Sequence, residues 1–172
     1  LAYQYNHMAE GLGERQRLEH AMARYTSPEI AQSAKRGTAA LGVKRAHLVV
    51  LFSDIRSFTT ISERLEPEVL VDSLNRYFAR MVEAVRAEGG SVNKFIGDGM
   101  MALFGAPADL DDPESAAIRS ALRMQEELAL FNEEQRQRAL PEFAIGIGIT
   151  SGAGVVGNIG SEDRLEYTAI GD

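Results

Sequence analysis

The order of apolar and amphipathic segments predicts an α+β domain: a ferredoxin-like, split βαβ sheet with helices packed on one face, preceded by an N-terminal helical extension. Three features predict it. HLVVLF (47–52) is an apolar run without helical period, rich in β-branched residues and too short for a helix. SVNKFI and MMALFG flank a glycine-containing turn, the pattern of a β-hairpin. Two long stretches around this hairpin carry apolar residues at helical spacing.

In chain order, residues 1–35 read as helical. Tyr5, Met8 and Leu12, then Leu18, Met22 and Tyr25 after a phase slip, fit either a short coiled coil with a stammer or an amphipathic helix. Ser27-Pro28-Glu29 starts a further short helix. Residues 36–46 form a linker, and 47–172 the main domain. Its first strand ends at Asp54, and Thr60–Glu63 has the form of a capping box on a short helix. Pro67 opens a longer helix with a stripe of Leu70, Leu74, Tyr77, Phe78, Met81 and Val85, ended by Gly89-Gly90. Asp112-Pro113 opens the next, with Ile118, Ala121, Leu122, Leu128 and Phe131 expected to face inward and the run EEQRQR to close it as a solvated face. FAIGIGIT, GAGVVGNIG and LEYTAI then read as three strands, giving the order β-α-α-β-β-α-β-β-β.

A chain of 172 residues suits one well-cored domain plus an appended element, and 45% hydrophobic with 25% charged residues is ordinary globular composition. The net charge of −7 excludes a general nucleic-acid binder, which needs basic excess, yet leaves room for a local site for a phosphorylated small molecule. The chain has no cysteine, which excludes disulfides and thiolate metal sites and suits a reducing cytoplasm. No apolar run approaches the ~20 residues that span a bilayer, and LAYQYNHMAEG lacks the features of a signal peptide. The sequence starts at Leu1 and stops at IGD in mid-pattern, so a fragment of a longer protein is expected.

Two acidic positions stand out. Asp54 ends the first strand, and Asp98 sits in the GDG turn. Each alone is read as well as a helix cap or a turn residue. In a ferredoxin-like sheet, however, the strands that carry them lie together, and two carboxylates at one edge suit a hard divalent cation shared with substrate phosphates. The loop IRSFTT after Asp54 offers backbone amides to phosphate. No Walker loop is present, and GIGITSG lies within a strand pattern. The three histidines have no metal-like spacing, and Ser-His-Asp catalysis has no sequence signal.

FSDIRSFT, NKFIGDGMMALFG and GVVGNIGSEDRLEYTAIGD, in that order, closely resemble the class III nucleotidyl cyclase catalytic domain. The resemblance implies two Mg²⁺ or Mn²⁺ ions per site, held by Asp54, Asp98 and the carbonyl of Ile55. It implies a triphosphate cradle of backbone amides from Ile55 through Arg56, Ser57 and Phe58 to Thr59, with Gly97 beside the substrate. It gives base choice to Lys94 and Thr168: a cationic donor at the first position suits adenine N1 and so ATP, and threonine at the second matches a bacterial subgroup. Arg164 is a further candidate for contact with substrate or partner.

In the family, sites form between two catalytic domains, so a homodimer is implied. MAEGLGERQRLEHAMARYTSPEIA resembles the end of a HAMP domain and its cyclase linker, which implies a cytoplasmic output domain of a membrane receptor. The family's transition-state asparagine and arginine fall beyond Asp172, so the fragment is expected to be nearly inactive on its own. The alternatives to an adenylyl cyclase are a guanylyl cyclase, a non-catalytic cyclase-like sensing or dimerisation module, and, against the missing GGDEF-type hairpin, a diguanylate cyclase.

Overall fold

The computed structural model is described over residues 43–161 and 164–171. β1 (Lys44–Ile55) is followed by α1 (Phe58–Ser62), α2 (Pro67–Ala87), β2 (Ser91–Ile96), β3 (Gly99–Phe104), α3 (Pro113–Gln137), β4 (Ile145–Ser161) and β5 (Arg164–Ile170). The expected helical extension, its coiled-coil pattern and the HAMP-like segment lie outside the described residues. The strands form one antiparallel sheet in the order β2-β3-β1-β4-β5, with helices packed on one face, as the sequence predicts.

Alternation along β1 fixes the two faces. Val49, Leu51, Ser53 and Ile55 are buried toward the helices, whereas Phe52 and Asp54 stand exposed on the opposite, open face. Met100, Ala102 and Phe104 pair with Ser53, Leu51 and Val49 and extend the helix-facing core. Against them α2 lays Tyr77, Met81 and Val85, and α3 lays Ala117, Met124, Leu128 and Phe131. Arg80 ties the two helices, donating to Glu127 at 2.6 Å and to Glu134 at 2.5 Å.

The helix punctuation follows the expected chemistry at two places. Pro67 occupies the first turn of α2, and the Asp112 carboxylate accepts the Ser115 amide at 3.0 Å at the start of α3. At α1 it differs: the helix starts at Phe58 after Ser57 in a left-handed conformation, so Thr60–Glu63 lies in its last turn and is not a capping box.

Three further expectations are corrected. FAIGIGIT and GAGVVGNIG belong to one 17-residue strand, because Ile145–Val156 pairs without a break against the whole of β1. That ladder keeps Ser151-Gly152 extended where the glycines suggested a turn, and the sheet has one strand fewer than expected. Ile118 and Leu122 are 54% and 62% exposed, so the buried stripe of α3 runs through Ala117, Met124, Leu128 and Phe131. Within EEQRQR, Gln135 is fully buried and donates to Pro141 O at 3.2 Å and to Ser73 Oγ at 3.4 Å.

His47, Glu114 and Ser151 meet at the start of α3. The Ser151 hydroxyl (2.6 Å) and His47 (2.5 Å) bind one oxygen of Glu114, in that order of influence, and pull its carboxyl down to about 2. Both partners crowd His47 Nε2, so the arrangement is no Ser-His-acid relay, in which serine and acid take different ring nitrogens.

Candidate active site

Asp54 and the turn carrying Asp98 come together at one end of the open face. β2 and β3 are joined by Gly97-Asp98, with Gly97 at φ 63, the first central position of a II′-type turn. A Cβ on Gly97 would meet nothing within 4 Å, so glycine is needed there for the backbone angle alone. The next residue, Gly99, lies beside Asp54: a Cβ on it would stand 3.7 Å from Asp54 Oδ2 and 3.0 Å from Ser53 O. Beneath them, Tyr77 is fully buried and its phenol is pushed up to about 12. Burial is the main cause; the neighbouring Ser53 hydroxyl opposes it, and the charges of Asp54 and Asp98 both add to it. The Ser53 and Tyr77 hydroxyls do not reach hydrogen-bond geometry with each other or with another group.

After Asp54 the chain turns sharply. Ile55 ends β1 opposite Ile145 with its side chain buried. The Arg56 amide donates to Ala144 O at 2.7 Å, and a Cβ on Gly146, the residue paired with Asp54, would collide with the Arg56 guanidinium. The missing side chain at Gly146 therefore lets a cation lie beside the Asp54 position. Ser57, at φ 55, starts α1, and its carbonyl accepts the amides of Thr60 (3.0 Å) and Ile61 (3.3 Å). Phe58 packs its ring against the core, while Thr59 is exposed.

The second group forms on the same face from β2 and β5. Val92 pairs with Ala102 and Lys94 with Met101, so Asn93 is an extra residue in the ladder. This bulge inverts the alternation: Lys94 joins Met101 and Phe52 on the open face, and Phe95 turns to the helices, its ring centroid 4.3 Å from that of Phe78. β2 and β5 are opposite edges of the strand order, yet the Asn93 amide donates to Tyr167 O at 2.6 Å, and Lys94 pairs with Glu166 at 2.5 Å. The Thr168 hydroxyl donates to Asn93 Oδ1 at 3.4 Å. These contacts require the β4–β5 hairpin to fold over the open face. A cavity of about 260 Å³ lies under it, between Val50, Phe52 and Met101 below and Ala169 and Ile170 above.

The structure thus gathers Asp54 with the Asp98 turn, and Lys94 with Thr168. Lys94 stands two strands across and two residues along from Asp54, on the order of 12 Å between Cα positions from strand spacing alone. The side chain of Arg164 lies outside the described residues. Sequence reasoning missed Asn93, Glu166, Gly146 and Tyr77. A signal existed for two of them: asparagine is a poor strand former, so its place inside VNKFI marks a bulge, and Glu166 shares a strand face with Thr168.

The donor set offered near Asp54 is all oxygen, two carboxylates and a backbone carbonyl, which fits a hard divalent cation completed by water and phosphate oxygens. Among the described residues no cluster of three or more His, Cys, Asp or Glu side chains could hold a metal. No described helix is long and apolar enough to cross a membrane, which says nothing of β-barrels.

The fold and these two groups define a nucleotidyl cyclase catalytic domain. The family model for the adenylate and guanylate cyclase catalytic domain matches residues 44–172, and the chain belongs to that family. Among curated relatives, an uncharacterized protein of Mycobacterium tuberculosis, Rv1319c, is 39% identical over 167 residues, covering 97% of this chain and 30% of that protein. A second, Rv1320c, is 38% identical over 168 residues, covering 98% of this chain and 28% of its own length. The chain thus spans under a third of these relatives. Among solved structures, the guanylyl cyclase Cya2 is 40% identical (TM-score 0.72; 76% of this chain, 66% of that one). The adenylyl cyclase CyaB from P. aeruginosa is 36% identical (0.73; 76% and 68%). A bacterial light-regulated adenylyl cyclase is 27% identical (0.82; 95% and 48%).

Proposed function

We propose that this domain converts ATP to cyclic AMP and pyrophosphate, as the output of a longer signalling protein. The observation that carries the choice of ATP is the Asn93 bulge, which turns Lys94 onto the open face beside Thr168. Lysine is an obligate donor and meets adenine N1, an acceptor; the N1–H of guanine would oppose it.

Asp54, Asp98 and the Ile55 carbonyl would hold two divalent ions, Mg²⁺ or Mn²⁺. Such ions, when bound, acidify a hydroxyl and neutralise phosphate charge. The residues themselves position the nucleotide. Of the amides expected to cradle the triphosphate, that of Arg56 is committed to Ala144 O, so the cradle would rest on Ser57, Phe58 and Thr59 at the start of α1, where amides have no intrahelical partner, and Gly97 keeps the Asp98 turn close to it. The Arg56 guanidinium, lodged over Gly146, adds positive charge beside Asp54. The ribose 3′-oxygen forms its bond to the α-phosphorus while the α–β bridging bond breaks and pyrophosphate leaves; the 3′-hydroxyl proton passes to solvent. We further propose that the Asp54 and Lys94 groups of one chain serve different sites, each completed by a second copy of the domain. Residues 1–35 would set the geometry of that pair, downstream of a HAMP-like segment in a membrane receptor.

A guanylyl cyclase is the second reading, favoured by the 40% identity to Cya2 and by Glu166, a carboxylate beside Lys94 suited to guanine N–H donors. Initial rates of the full-length protein with ATP and with GTP, in Mg²⁺ and in Mn²⁺, decide between them. The expected result is cyclic AMP, with kcat/KM for ATP higher by about tenfold or more, the scale of at least one hydrogen bond made to adenine and lost to guanine. Equal or better use of GTP would overturn the assignment, and no cyclic product with either would overturn catalysis.

A further inference from the structure

We infer that Asn93 is a positioning residue for base selection: it fixes the Thr168 hydroxyl as a hydrogen-bond acceptor. This rests on the proposed adenine reading of the same site. It adds a residue that touches neither base nor metal.

The inference follows from hydrogen-bond polarity. A backbone carbonyl can only accept, so the Asn93 atom 2.6 Å from Tyr167 O is the amide nitrogen. The reverse orientation would set two acceptors against each other. The carboxamide oxygen is thereby left facing Thr168 Oγ1 at 3.4 Å, and it too can only accept. Thr168 must give it the one proton a hydroxyl has, so toward any further partner Thr168 presents lone pairs alone. Lys94, which already donates to Glu166 at 2.5 Å, can only donate with its remaining N–H groups.

A purine bound here meets an obligate donor at Lys94 and an obligate acceptor at Thr168. Adenine in the frame where N1 faces Lys94 satisfies both, its N6 amine donating to Thr168. Guanine in that frame opposes N1–H to Lys94 and O6 to the Thr168 lone pairs. Threonine by itself would not discriminate, because a free hydroxyl rotates and donates to O6 as readily as it accepts from N6. The bulge that turns Lys94 onto the open face also supplies the amide that removes this freedom.

The test is the ratio of kcat/KM for ATP to that for GTP in the full-length protein and in Asn93→Ala, Asn93→Asp, Thr168→Val and Asn93→Ala/Thr168→Val, with melting temperatures for each. The same ratio is read by calorimetric binding of 3′-deoxy-ATP and 3′-deoxy-GTP, which lack the attacking hydroxyl and report on variants too slow to assay. Asn93→Ala is expected to lower the ratio by about threefold, the lower end of the worth of a hydrogen bond, because 3.4 Å is long for an O–H···O contact. Asn93→Asp, which keeps an acceptor toward Thr168 but loses the bond to Tyr167 O, is expected to lose stability and keep most of the ratio. The double variant is expected to fall no further than Thr168→Val alone. A merely structural Asn93 would weaken both nucleotides equally in Asn93→Ala and leave the ratio unchanged, or would add its effect to that of Thr168→Val; either result overturns the inference. Preference for GTP in the unmodified protein would instead overturn the adenine reading on which it rests.

Discussion

Replacing Asp54 by asparagine is expected to lower cyclic nucleotide formation by about a thousandfold while leaving the fold intact, a loss of the size seen when one preorganised electrostatic group is removed. Asp98→Asn is expected to do the same. The size follows from the narrow donor set: among the described residues no third His, Cys, Asp or Glu clusters with this pair to replace a lost carboxylate. The intact fold follows from position. Asp54 is exposed on the open face, and Asp98 sits in a two-residue turn whose geometry depends on Gly97. Removing one of two neighbouring negative charges also relieves the Tyr77 environment, where both oppose ionisation of the phenol. Rates with saturating Mn²⁺ and ATP, measured beside melting temperatures without metal, check both halves. Near-normal rates would show that the pair does not do the chemistry.

The largest effect on stability is expected from Phe131→Ala, about 3–5 kcal/mol. Phe131 is fully buried in a ring cluster centred on Tyr77, with its centroid 5.9 Å from Tyr77 in an edge-on arrangement and 5.1 Å from Phe143. Tyr77 in turn contacts Phe143 at 5.7 Å and Phe78 at 5.3 Å. The cluster joins α2, α3 and the segment entering β4 directly behind the Asp54 strand. A cavity there loses dispersion contacts on several elements at once, and it removes a large share of the 5–15 kcal/mol typical of a domain. Urea unfolding of the two proteins measures it; a difference under about 1 kcal/mol would mean that the cluster is not the keystone of the core.

Much of the fold was legible because periodicity survives folding. The apolar run of β1, the stripe from Leu70 to Val85 and the GDG hairpin each report a local rule that the tertiary structure keeps. Where pairing outweighed local chemistry, legibility ended. Glycines in TSGAG suggest a turn, but twelve consecutive partners along β1 hold that stretch straight. Ile118 and Leu122 have helical spacing, yet they lie on the outer stripe, because the inward one is built partly from Ala116, Ala117 and Ser120, small residues that carry little hydrophobic signal.

The candidate site was legible in part for the same reason. Asp54 and Asp98 were found because a charge ending an apolar strand and a charge in a tight turn are both visible locally, and the sheet brings their strands together. Lys94 was identified, but the cause of its orientation was not. Counting along SVNKFI places Val92 and Lys94 on one face, and only the bulge at Asn93 separates them. The link from Asn93 and Lys94 to Tyr167 and Glu166 spans more than seventy residues and two opposite sheet edges, and no local pattern encodes it.

The proposal that the Asp54 and Lys94 groups of one chain belong to different sites is tested most directly by mixing. Asp54→Asn, expected to be nearly inactive, and Lys94→Ala, expected to be impaired, are first assayed alone, then combined in equal amounts under conditions that let subunits exchange, and the rate of cyclic AMP formation is measured. If sites form between two copies, half the pairs are mixed, each keeps one intact site of two, and activity recovers to about a quarter of the unmodified protein. If each chain builds its own site, the mixture is no more active than the sum of its parts, and the proposed division of the open face is wrong.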